Sequence, residues 1–234
     1  MRRAAIRAAL FSLLSLPLAC REGAEPAGSG TPVPLQLTFT PGDTFLYDAW
    51  VIDKYGYQLP FTRTRALWRV ITVKNGIGDF SSVTTILDSA SLLRDSAIVL
   101  DTLSLAVGQN GDVYRYGFLA RMARIRKQLP PPCLWDRIAA LSIGSGTSWL
   151  VGYLDAGGKE PVYGRVSGAP DLFSVQVNGV QTVYAGIRVD LSGPTFNYSY
   201  WLADAPTSFL HFYLEPGSDT TGAEFNLSEI RSRP

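Results

Sequence analysis

The sequence predicts a mainly β protein: one curved antiparallel sheet, with one or two short helices from the middle of the chain packed on one face. Apolar residues recur at a period near two along most of the chain, the signature of half-buried strands. Turn formers punctuate those runs, with 22 Gly and 15 Pro among 234 residues. Aromatic residues make up 12% and charged residues 18%, a balance that suits sheets with a buried face. The 46% hydrophobic content is enough for a core and excludes wholesale disorder.

The elements follow in chain order. Thr44 to Asp53 reads as a first strand, ended by a turn around Lys54–Gly56. Phe61 to Lys74 alternates over a long run, with Ala66, Trp68 and Val70 on one face, and Asn75-Gly76 supplies a hairpin turn. Phe80–Leu87 and Ala97–Val107 continue the meander, and a turn at Gln109–Asp112 leads into Val113–Tyr116. Phe118 to Leu129 then changes period: Phe118, Met122, Ile125 and Leu129 fall on one helical face, and Pro130-Pro131-Pro132 stops the run. Leu134, Ile138 and Leu141 predict a second short helix ending before Gly144. Strands return at Ser148–Leu154, Val162–Ser167, Leu172–Val177, Thr182–Leu191, Phe196–Leu202, Ser208–Leu214 and Ala223–Ile230. No repeat of solenoid or propeller length occurs, and no linker falls inside residues 40–232; residues 35–234 read as a single β-rich domain.

The N-terminus is read as an address. Arg2, Arg3 and Arg7 precede a twelve-residue apolar stretch, Ala8 to Ala19, and no acid occurs before Glu22. At ~1.5 Å per residue the stretch covers ~18 Å, short of the ~30 Å bilayer core, so a signal peptide over residues 1–19 fits better than a membrane span. Its end, Leu16-Pro17-Leu18-Ala19-Cys20, resembles a bacterial lipoprotein signal. That resemblance implies cleavage before Cys20, a diacylglycerol thioether on its sulfur, and an acyl anchor in the cell envelope. Arg21 follows the Cys where enteric inner-membrane lipoproteins carry Asp, so the resemblance favours the outer membrane, facing the periplasm. An ordinary signal with an incidental Cys20, or a Cys20–Cys133 disulfide, are the competing readings of the same sulfur. Residues 20–34 hold Gly, Pro, Ala, Ser and Thr with no large apolar residue but Val33, the composition of a flexible tether.

A second resemblance lies in residues 144–230. Gly144-Ser145-Gly146-Thr147-Ser148-Trp149, then Val177-Asn178-Gly179-Val180-Gln181-Thr182-Val183-Tyr184-Ala185-Gly186-Ile187-Arg188-Val189, then Tyr200-Trp201-Leu202-Ala203-Asp204-Ala205-Pro206 follow one another in order. This order resembles a family of periplasmic domains of unknown function and, more remotely, the half-barrel of lipoprotein-localisation (Lol-type) carriers. Gln181 and Tyr184 depart from the Glu and Pro of that pattern. The resemblance implies a half-barrel with an apolar cavity and transfers no active site.

The sequence presents no recognisable catalytic arrangement. His211, the one histidine, lies between Phe209 and Tyr213 on a strand face and reads as a half-buried strand residue, not a base. Cys133, after three prolines and before Leu134-Trp135, reads as an inert buried thiol. Gly144–Thr147 lacks the Lys of a phosphate-binding loop and leads into a strand. Asp43, Asp48 and Asp53 have no ligand spacing, and no metal or cofactor is expected. The full chain carries a net charge of +1, which gives no footprint for nucleic acid.

Two features remain as candidate sites. Ala66, Trp68, Val70, Trp149 and Trp201 could line an apolar cavity in the concavity of the sheet, although core packing is the default for such residues. Arg121, Arg124, Arg126 and Lys127 sit in a span from Tyr114 to Trp135 that has no acid. They could meet anionic lipid head groups, or they could be a solvated helix face. The expectation is therefore a monomeric, non-enzymatic envelope lipoprotein that binds an apolar or lipid-like ligand. An envelope interaction module is the alternative, and a secreted hydrolase is third.

Overall fold

The computed structural model describes residues 33, 35–89, 101–204, 206, 208–216 and 221–232. Cys20, the signal segment, the tether up to residue 32 and the first four residues of the expected Ala97–Val107 strand lie outside the described residues.

Among the described residues twelve strands form one sheet. They are β1 (Thr44–Ile52), β2 (Thr64–Ile77), β3 (Phe80–Asp88), β4 (Asp101–Gly108), β5 (Val113–Tyr116), β6 (Trp135–Ala139), β7 (Ser148–Tyr153), β8 (Pro161–Val177), β9 (Val180–Gly193), β10 (Phe196–Leu202), β11 (Phe209–Leu214) and β12 (Gly222–Arg231). Their order is β6-β5-β4-β3-β2-β1-β12-β11-β10-β9-β8-β7. Neighbours are antiparallel throughout, as the period-two pattern and short turns require. The one α-helix among the described residues, α1 (Phe118–Ile125), joins β5 to β6.

Alternation decides which face is buried. On β2, Ala66, Trp68 and Val70 are buried while Arg65 and Arg69 are exposed. On β1, Phe45, Tyr47 and Ala49 face the same core. The ladder pairs Phe45 with Trp68 and Tyr47 with Ala66, so neighbouring strands deliver their large residues to one concave face.

Several local expectations are corrected. The run Leu134–Leu141 is not a second helix: residues 135–139 form β6 against β5, and a 3-10 turn follows at Leu141–Ile143. Three apolar residues at helical spacing cannot outweigh an open strand edge. Buried Asp136 and Ile138 alternate with half-buried Trp135 and Arg137, the strand period hidden inside the helical one. The first hairpin turns at Gly78-Asp79, with Ile77 opposite Phe80, so Asn75-Gly76 lies inside β2. The Asn-Gly turn chemistry is used instead between β8 and β9, where Asn178 and Gly179 have φ of 49° and 84°. The two strands expected at 162–167 and 172–177 are one strand, β8, bent where its register to β9 shifts between Val166 and Pro170. Beyond that bend Gln176 and Val177 pair in parallel with Glu229 and Ile230 of β12. Cys133 is exposed, not buried, and lies beside Gly117 at the start of α1.

α1 is shorter than the expected Phe118–Leu129. Lys127 adopts φ of 57° and Gln128 N–H donates to Ala123 O at 2.9 Å, a left-handed closure that ends the helix before the prolines. Its buried residues, Phe118, Leu119, Ala120, Met122 and Ala123, lie on one side and pack onto the sheet. Because strand direction alternates, α1 lies at the same end of the sheet as the β1–β2 loop and the β7–β8 loop. Val33 lies at the opposite end, its N–H donating to Leu141 O at 3.1 Å.

Candidate functional site

The concave face under α1 holds a cavity of about 80 Å³. Its floor comes from Tyr47 on β1, Trp68 on β2, Tyr198 on β10, Phe212 and Leu214 on β11, and Phe225 on β12. Met122 and Ile125 of α1 form the roof, and Arg121, Arg115 and Asp88 bring charge to it.

Packing around the space is aromatic. Trp68 lies 4.9 Å from Phe212, 5.4 Å from Tyr47 and 5.8 Å from Phe209, measured between ring centroids. Tyr198 reaches Phe118 of α1 at 5.5 Å. Such edge and tilted contacts fix each ring against the next. The polar tips are tied down: Trp68 Nε1 donates to Asp88 Oδ1 at 2.9 Å, Tyr47 OH donates to Phe209 O at 3.1 Å, and Tyr200 OH donates to Ile138 O. Asp88 also faces Arg121 of α1 at 3.6 Å, so one carboxylate links the floor to the roof.

Burial governs the titration of these groups. Burial, then the charge of Asp88, pushes the Tyr47 phenol well above its usual range. Burial likewise pushes Tyr198 up to about 12, against the pull of Arg115 and Arg121. Asp136 lies behind the helix and accepts from Leu119 N–H at 2.9 Å, capping a helix whose N-cap residue, Gly117, has no side chain to do so. Burial raises its carboxyl to about 6, offset by the N–H groups of Leu119 and Phe118 and by Arg115.

Of the residues expected to line a cavity, Trp68 does so. Ala66 and Val70 share its face but are packed within the core. Trp149 is buried too, at the seam between β7 and β6, where its indole donates to Arg137 O at 2.9 Å. Trp201 points to the opposite face, a consequence of strand parity, since its neighbour Tyr200 faces the core. There Trp201 Nε1 donates to Asp171 Oδ2 at 2.5 Å, and its ring meets His211 at 4.6 Å, with Arg188 5.2 Å above it.

The four basic residues also separate. Arg121 faces Asp88, and Arg126 Nη2 donates to Glu215 O at 2.9 Å, tying the helix down. Arg124 and Lys127 are exposed. Sequence reading missed Tyr47, Asp88, Arg115, Tyr198, Phe212 and Phe225 as members of the cavity. Their shared signal is an inward position on a strand, which reveals a face but not which strands meet across it. Among the described residues no group of three His, Cys, Asp or Glu gathers to hold a metal ion.

No protein-family model matches this sequence, and neither does any curated protein. Solved structures do resemble it. One is a provisionally assigned lipoprotein of Parabacteroides distasonis, 9% identical over 82% of this chain and 95% of that one, with a TM-score of 0.41. Another is a provisionally assigned exported protein with a YmcC-like fold from Bacteroides fragilis, 9% identical over 87% of this chain and 100% of that one, at 0.40. A third is the hypothetical lipoprotein YmcC of Escherichia coli K12, 12% identical over 83% of this chain and 86% of that one, at 0.38. None of the three is described as a Lol-type carrier.

Proposed function

We propose that the protein is an acylated envelope lipoprotein, anchored through Cys20, whose β domain binds an amphipathic lipid-like ligand without catalysing a reaction. The observation that supports the ligand is the aromatic cavity roofed by α1, with Arg121 and Arg115 beside apolar walls. At about 80 Å³ the space is well below the ~300–1,000 Å³ of sites that enclose a drug-sized molecule. It therefore takes the end of a ligand, and a longer chain enters when α1 lifts. The helix is short, follows Gly117 with φ of 63° and closes at Lys127 with φ of 57°, so lifting it would turn the backbone at those two points and break the Arg121–Asp88 and Arg126–Glu215 contacts.

Native mass spectrometry of the chain purified from membranes tests this reading. A retained lipid is expected with the wild type and not with Ala223→Leu, which puts three more carbons into the cavity. No retained lipid and no binding of a fatty-acyl probe would remove the ligand reading. The largely filled interior supports a second reading, an envelope interaction module, which that result would leave in place. Anchoring is tested separately: Cys20→Ser is expected to release the chain from membranes or leave its precursor uncleaved.

A further inference from the structure

We infer that the end of the sheet carrying the β1–β2 loop is a docking surface for an anionic phospholipid bilayer. The inference does not rest on the cavity. It begins with a loop that holds three aromatic side chains in solvent: Tyr55 is 72% exposed, Tyr57 71% and Phe61 85%. An apolar side chain on a loose loop can fold back, but this loop is tied down. Asp53 Oδ1 accepts from the N–H groups of Tyr55 and Tyr57, each at 2.9 Å, and Asp53 N–H donates to Tyr57 O at 2.9 Å. Ile52 bridges Gln58, Leu59 N–H donates to Val51 O, and Thr62 Oγ1 donates to Leu59 O while accepting from Val51 N–H. The backbone thus presents the rings outward from a hydrogen-bonded frame.

Charge at this end selects the partner. Lys54 and Arg63 are exposed beside the rings, and the acid within the loop, Asp53, has its carboxylate turned onto loop N–H groups. Arg63 lies against Asp48 at 3.2 Å with most of its side chain still exposed. α1 adds exposed Arg124 and Lys127, and Leu129 just beyond it is 76% exposed. Among the described residues the acids nearby are held by hydrogen bonds, which fix where they point and leave their charge in place. Glu160 accepts from Gln128 and Thr195, Glu215 from Asn197, Glu224 from Gln58, and Asp155 from the N–H groups of Gly157, Lys159 and Glu160. Loop and helix are held to the same hairpin end, Gln58 through Glu224 at the start of β12 and Arg126 through Glu215 O after β11.

Separate aromatic tips among bases suit a fluid interface, where Tyr and Phe sit at head-group depth and Lys and Arg meet phosphates. An acyl anchor at Cys20 does not forbid the contact. With Val33 held at Leu141, the twelve residues from 21 to 32 reach ~40 Å at most, longer than the ~30 Å of β1, so either end of the sheet can meet the anchoring membrane.

Flotation of the chain from residue 21, which keeps every described residue and has no acyl group, on phosphatidylcholine vesicles with and without phosphatidylglycerol tests the inference. Wild type is expected to float with phosphatidylglycerol vesicles and much less without. Tyr55→Ser/Tyr57→Ser/Phe61→Ser should lower partitioning ~10-fold or more, and Lys54→Gln/Lys127→Gln several-fold with a weaker salt dependence, both with unchanged cooperative unfolding. Absence of wild-type binding, equal partitioning by the aromatic variant, or equal binding without the anionic lipid would each overturn it. A protein captured through this loop with no vesicle binding would overturn it as well.

Discussion

Trp149 Nε1 lies 2.9 Å from the carbonyl oxygen of Arg137, and this bond joins the two ends of the twelve-stranded sheet. β7 and β6 are consecutive in the chain and terminal in the sheet, yet a side chain spans them where a backbone ladder would otherwise run. Tyr200 OH satisfies the next carbonyl, that of Ile138. The edge of β6 is thereby covered from inside, which removes acceptors that an open edge would offer to another chain.

Trp149→Phe is expected to cost about 1–3 kcal/mol, the penalty for leaving a buried acceptor without its donor. Gly164→Ala is expected to be destabilising as well, because a Cβ there would fall 2.1 Å from Trp149 Cζ2. Denaturant melts of both variants check this, and neither should alter binding of an acyl probe in the cavity beneath α1.

Trp68 and Trp201 should behave differently. Trp68→Ala empties a site walled by three rings within 6 Å and is expected to cost about 3–5 kcal/mol while enlarging the cavity. Trp201→Ala acts on the opposite face, so its loss of stability should be smaller and probe affinity should not change. Melts and probe titrations on the pair decide the matter.

Two buried groups give opposite pH slopes. Asp136 is raised from 3.8 to about 6, so between those values the native state holds a proton that the unfolded chain has released. Stability therefore falls as pH rises through that window, by about 3 kcal/mol in total, and Asp136→Asn should abolish the fall. His211 is lowered below 6.5, chiefly by burial, against the hydrogen bond its Nδ1 donates to Asn226 Oδ1 and the charge of Glu224. Here the unfolded chain takes the proton first, so stability falls as pH drops below 6.5, and His211→Gln should remove that loss. Urea denaturation from pH 4 to 8 on both variants separates the two slopes.

Asp112 is fully buried and pairs with Arg137 at 2.5 Å, while its carboxylate also accepts from Asn110 Nδ2 and Ser142 N–H. Asp112→Ala breaks a buried charge pair and two turn contacts together, for an expected loss of about 3–5 kcal/mol. Thermal unfolding measures it, and loss below 1 kcal/mol would mean that Arg137 finds equal compensation elsewhere.

What the sequence determined by itself is local and periodic. The β class, the buried face of β2 through Ala66, Trp68 and Val70, and the helix begun at Phe118 all follow from residue spacing, because a strand or helix buries whichever side is continuously apolar. Tertiary structure decided everything that depends on which strands meet. Asp136, Arg137 and Ile138 became a strand because β5 offered an edge, and Trp201 faced outward because Tyr200 filled the core side. Asn75-Gly76 lost its turn to Gly78-Asp79 because the pairing with β3 runs three residues further along β2. The cavity is of the same kind: Tyr47, Asp88, Arg115, Tyr198 and Phe212 lie far apart in sequence, and only the curvature of the sheet under α1 brings them around one space.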